Sequence, residues 1–135
     1  MLGPKRTKFR FRHKGRIAGK SPKGSSMEFG EYGLKAMQMG LLSATQIEAA
    51  RKVIMHTTKR SGKLWIRVFP DKPMTLKGAG VRMGGGKGDF KNYSAVIRPG
   101  KLIFEIAGVS KEMACEALRK ASIRLPIEAR IIYPE

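Results

Sequence analysis

The chain has 135 residues, with 28 Lys and Arg against 10 Asp and Glu, a net charge of +18 and 41% hydrophobic residues. That is one domain of chain, with enough apolar residues for one core. A single cysteine, Cys115, excludes an intrachain disulfide and a thiolate metal cluster, and there is no run of about 18 apolar residues to span a membrane.

The charge is uneven. Lys5, Arg6, Lys8, Arg10, Arg12, Lys14, Arg16, Lys20 and Lys23 fall in the first 24 residues, and the first acid is Glu28. Such a block repels itself, cannot pack alone, and suits a polyanion. Residues 1–24 are therefore expected to be a basic extension that binds a nucleic acid, disordered alone and ordered on its partner, ahead of a single α+β domain over 25–135. Lys8, Arg10, Arg12, Lys14 and Arg16 alternate strictly. In extended chain, alternate residues share a face about 6.6 Å apart, near the spacing of phosphates along a strand. Phe9, Phe11 and His13 then face the other way, to stack on bases or to pack on the body. An amphipathic import presequence does not fit, because Gly3, Pro4, Gly15, Gly19 and Pro22 break a helix.

The body reads as alternating elements. A strand is expected around Phe29 to Leu34. Ser43 or Thr45 caps a helix, since Ser43 with Gln46 and Thr45 with Glu48 both form capping boxes. Ile47, Ala50, Ile54 and Thr57 share its apolar face, and it should end near Ser61-Gly62. Lys63 to Phe69 reads as a strand covered on both faces, and Met74 to Lys77 as a short one. Tyr93 to Arg98 and Lys101 to Ala107 read as a hairpin around Pro99-Gly100, although Pro-Gly favours a type II turn that matches hairpin twist poorly. Ser110 caps a second helix whose buried arc is Met113, Ala114, Ala117, Leu118 and Ala121, with Cys115 at its edge. Pro126 stops it, and Ile127 to Tyr133 forms the last strand. The order β-α-β-β-β-β-α-β predicts an α+β two-layer sandwich, with two helices on a mainly antiparallel sheet.

A glycine-rich loop spans 78–91, with Gly78, Gly80, Gly84, Gly85, Gly86 and Gly88 around the cations Arg82 and Lys87. Exposed backbone N–H groups and two cations suit a phosphate-bearing partner. A Walker A loop counted back from Gly86-Lys87 requires glycine at Val81 and Ser or Thr at Gly88, so it fails at both ends. A dinucleotide fingerprint from Gly78 and Gly80 requires a small residue at Met83 and fails as well. Ser94 and Cys115 lack a histidine placed by any motif, Asp71 reads as a turn residue, and His13 and His56 have no carboxylate pair nearby. No catalysis, metal or cofactor is expected.

Six blocks now stand in order: Pro4-Lys-Arg-Thr-Lys-Phe-Arg10, Phe29-Gly-Glu-Tyr-Gly33, Gln46-Ile-Glu-Ala-Ala-Arg51, Trp65-Ile-Arg-Val-Phe-Pro-Asp-Lys-Pro73, Arg82-Met-Gly-Gly-Gly-Lys-Gly88 and Arg98-Pro-Gly100. In these blocks the chain resembles the bacterial-type large-subunit ribosomal protein sixteen family over essentially its whole length. The resemblance implies a hammerhead-type α+β fold and a structural, non-catalytic protein of a bacterial or organelle ribosome. It implies contact with large-subunit rRNA through the arm, with Arg51, Lys59 and Arg60 as further candidates. It also implies a loop bearing Arg82, Met83, Gly84 and Lys87 that faces A-site and P-site tRNA near the peptidyl-transferase centre. Neighbouring ribosomal proteins are implied partners; a membrane or a second copy is not. Gly78, Gly85, Ser94 and Phe11 depart from the family pattern, and the added glycine predicts a more mobile loop in the absence of RNA. The alternatives are a basic RNA- or DNA-binding factor outside the ribosome and, less well matched, a nucleotide hydrolase.

Overall fold

The computed structural model describes residues 1–134. Seven strands and two helices follow residues 1–24, which contain neither helix nor strand. They are β1 (Tyr32–Ala36), β2 (Gly40–Ser43), α1 (Ala44–Thr57), β3 (Lys63–Ile66), β4 (Lys72–Leu76), β5 (Asp89–Ile97), β6 (Leu102–Ala107), α2 (Lys111–Ser122) and β7 (Ala129–Ile132).

The α+β class holds, and every strand pair is antiparallel. The strands divide between two sheets, ordered β3-β6-β1-β7 and β2-β5-β4. This corrects the expected hairpin. Arg98 to Lys101 does form a tight turn, with the Lys101 N–H donating to the Arg98 carbonyl at 3.1 Å and Gly100 at φ 91°. A turn of that type splays its flanking strands. Here β5 enters the turn from one sheet and β6 leaves it into the other. The turn is tied down by the Gly100 N–H, which donates to the Ala36 carbonyl at 2.7 Å.

Ser43 resolves the helix start. Its hydroxyl accepts from the Gln46 N–H, and its own N–H donates to the Gln46 side chain at 3.0 Å. The helix stops at Thr57, short of Gly62, because Lys59 and Arg60 adopt left-handed backbone (φ 51° and 62°). Ile47, Ala50 and Ile54 of α1 and Ala114, Ala117, Leu118 and Ala121 of α2 are buried as expected, and the two helices pack on each other. Met113 and Cys115 are half-buried at the edge of that arc. β2 escaped the sequence reading. β3 is shorter than expected, and its extension leaves Phe69 exposed. β4 begins at Lys72 and β5 already at Asp89, so 89–91 belong to a strand and the open loop is 77–88.

β6 is the spine. Leu102, Ile103, Phe104, Glu105 and Ile106 are all buried, so both faces of the strand are covered. Phe104 packs in one core with Leu34, Leu42, Ile47 and Leu118.

Candidate nucleic-acid interface

Two antiparallel strands carry the glycine loop away from the core. β5 is exposed or half-covered from Asp89 to Tyr93 and buried from Ser94 onward, apart from Val96. β4 is likewise exposed at Leu76, where it enters the loop. Gly88 closes the loop base: a Cβ there would lie 2.7–2.8 Å from Leu76 and Lys77 backbone atoms, too close for any side chain. Beyond it, Val81 through Lys87 are exposed, Met83 at 97%. Gly84, Gly85 and Gly86 have positive φ with open space around them. The Lys77 ammonium spans the loop and donates to the Gly84 carbonyl at 2.5 Å.

All nine arm cations are exposed. The arm runs along the body as irregular chain, held largely through backbone carbonyls. Lys72 donates to the Lys14 carbonyl, Lys87 to the Arg12 carbonyl at 2.5 Å, and Lys101 to the Lys23 carbonyl at 3.4 Å. Thr7 shares a hydroxyl hydrogen bond of 2.9 Å with Tyr93, and the Arg10 guanidinium lies 5.7 Å from the Phe90 ring centre. The alternation read from Lys8 to Arg16 thus meets no strand partner, and Phe9 and Phe11 project into solvent instead of packing on the body.

The Lys87 contact brings the two sequence-predicted regions together. Arg12, Lys14, Lys72 and Lys87 line one recess. A larger cleft of about 760 Å³ beside it adds Arg16, Arg67 and Lys101, with Phe69 and Val96 as apolar lining and Asp71 as the one acid. Cations gathered this closely repel one another through a Debye length of about 10 Å at 0.1 M salt, and a bound polyanion relieves that repulsion.

Arg51 and Arg60 lie elsewhere, on the solvent side of α1, where they line a shallow groove with Lys52, Met55 and His56. Arg51 is already engaged: it makes two bonds to the Glu48 carboxylate, 2.9 and 2.6 Å. That pairing with Arg51 holds the Glu48 carboxyl below its ordinary value. Lys59 and Arg60 are exposed on their left-handed turn. Lys72 and Lys101 were missed by the sequence reading, because each sits singly among body residues with no local run to mark it.

Among the described residues, no cluster of His, Cys, Asp and Glu could hold a metal, and no helix is long and apolar enough to cross a membrane. The comparisons with known proteins supply the identity. The profile of ribosomal protein L16p/L10e matches residues 4–132. The chain belongs to that family. It is 53% identical to large ribosomal subunit protein uL16 of Kosmotoga olearia over 98% of this chain and 94% of that protein. It is 54% identical to uL16c of Gracilaria tenuistipitata over 98% of both, and 47% identical to uL16c of Tetradesmus obliquus over 100% of this chain and 98% of that one. As a member of the L16p/L10e family the chain is a ribosomal protein, not an enzyme.

Proposed function

We propose that this chain is a structural constituent of the large ribosomal subunit in a bacterium or in an organelle that encodes its own copy. Its arm binds large-subunit rRNA, and its glycine loop helps position A-site and P-site tRNA. The observation that carries the reading is the meeting of arm and loop at the Lys87–Arg12 contact. It makes one continuous cationic surface from two segments distant in sequence. Arm cations supply phosphate contacts, which set affinity and register. Arg82 and Met83 stand at the far end of the β4–β5 ribbon, clear of the body, where they can touch a second nucleic acid while the arm holds the first. Members of this family are not enzymes, so the work of this surface is placement.

The test is subunit reconstitution with wild-type or Arg82→Ala protein, followed by rapid kinetics. The variant should assemble at one copy per subunit by quantitative mass spectrometry and slow A-site accommodation, with peptide transfer preserved once tRNA is bound. Failure to assemble would make Arg82 an rRNA anchor. A collapse of peptide transfer with normal accommodation would give the loop a chemical role.

A further inference from the structure

Glu105 is the only fully buried charged side chain among the described residues. It sits in the middle of β6 with no function in the surface just described. One of its carboxylate oxygens accepts three successive backbone N–H groups: Glu28 at 3.3 Å, Phe29 at 2.8 Å and Gly30 at 2.8 Å. The other oxygen pairs with the Arg67 guanidinium. Residues 28–30 belong to no strand or helix, so these donors have no ladder to join. They converge as a nest around an anion, and Glu105 supplies that anion from inside the sheet.

The side chains repeat the grip. Arg67 lies over the Phe29 ring at 4.9 Å, and Phe29 stacks on Trp65 at 6.1 Å. Gly30 fits flat against β6: a Cβ would meet the Glu105 Cβ and the Ile106 backbone N and O at 2.9 Å. The next residue, Glu31, donates its N–H to the Ile106 carbonyl at 3.0 Å and leads into β1. At the opposite end of β6, the Leu102 N–H donates to the Gly24 carbonyl at 2.9 Å. The chain from 24 to 30 is therefore pinned at both ends of one strand, directly behind the last arm cation, Lys23.

A buried ion pair is a poor device for stability alone, since apolar side chains of similar size serve as well. Its specific effect here is to fix residues 28–30, whose N–H groups join no helix or strand ladder. We propose that Glu105 is a positioning residue: it clamps the root of the cationic arm at residues 28–30, so that the arm starts its path over the body from a fixed point and presents its cations to RNA along a set line. The inference rests on the reading of the arm as RNA-binding. A fixed root lowers the conformational entropy lost on binding. Removing it should weaken affinity without changing the number of phosphate contacts.

Two variants approach the clamp from opposite sides. Glu105→Gln removes the anion, and Gly30→Ala pushes the root off β6 with the charge intact. Each is measured as the full chain, by amide hydrogen exchange and by binding to a transcript of large-subunit rRNA across a salt series. Exchange at Phe29 and Gly30 should speed up at least tenfold more than exchange at the core positions Phe104 and Ala117. Affinity should fall about tenfold at fixed salt with an unchanged slope of log K against log salt. That loss should shrink to less than about twofold when Lys8, Arg10, Arg12 and Lys14 are already alanine, because a root without arm charges has nothing to aim. An equal loss in the arm-neutral background, or unchanged exchange at Phe29 and Gly30, would overturn the proposal. Should Glu105→Gln fail to fold, Gly30→Ala decides by the same readouts. A wild-type chain whose binding ignores salt would refute the RNA reading, and the exchange rates would still report whether the clamp exists.

Discussion

The two sheets do different work. In the four-stranded sheet, β6 is buried from Leu102 to Ile106. In the three-stranded sheet, β4 and β5 run outward until Leu76 and Asp89 are exposed, and there they hand over to an open loop. One sheet concentrates apolar contact around Phe104; the other trades contact for reach. Stability should therefore respond most to the first, and placement of nucleic acid at the loop tip to the second, and substitutions in each can break that division.

The largest effect belongs to the spine. Phe104→Ala should cost roughly 3–5 kcal/mol of folding stability through the cavity it leaves, read as a shifted denaturation midpoint. A loss below about 1 kcal/mol would mean that β6 is not the core strand described here.

Acid should act on the same strand. Burial pushes the Glu105 carboxyl up, but the N–H groups of Gly30 and Phe29, the Arg67 guanidinium and the Glu28 N–H outweigh it and hold it below its ordinary value. A carboxyl lowered in the folded state stabilises fully above its unfolded pKa of about 4.3, and that contribution fades as pH falls through the folded value. The charged groups facing it are Arg67 and, through Arg67 at 3.6 Å, Glu28. Stability measured by urea from pH 6 downward should drop below about pH 4.3, and Glu105→Gln should flatten that limb. An equally steep limb in the variant would assign the acid sensitivity to other carboxylates.

The smallest effects lie at the end of the ribbon. Met83→Ala and Arg82→Ala should each change stability by no more than about 0.5 kcal/mol, since both side chains are exposed. A larger loss in either would show the loop packing on something.

The sequence made some of this legible and not the rest, for physical reasons. Capping chemistry is local, so Ser43 with Gln46 could be read directly. So could the second helix from the spacing of Ala114, Ala117, Leu118 and Ala121, and the arm from its charge. Pro99-Gly100 announced a turn but not its destination, because four residues of turn chemistry carry no information about which sheet receives the next strand. β2 was missed because its four residues merge into the cap of α1. The clamp was invisible for a related reason: Glu105 looks like a misplaced acid between Phe104 and Ile106, and its partners lie at 28–30 and 67. A lone carboxylate inside an apolar run was the available signal. The arm's cations were placed by counting, whereas its grip on Lys72 and Lys87 passes through backbone carbonyls that no side-chain pattern reports.

The central claim is that the arm binds through its charges and the body folds without them. Full-length protein with Lys8, Arg10, Arg12 and Lys14 changed to alanine tests it, using rRNA affinity measured from low to high salt beside thermal unfolding. If all four meet phosphates, the slope of log K against log salt should fall in magnitude by about 3, at ~0.7 per contact, with stability within about 0.5 kcal/mol of wild type. An unchanged slope, or a chain that no longer folds, would contradict the account.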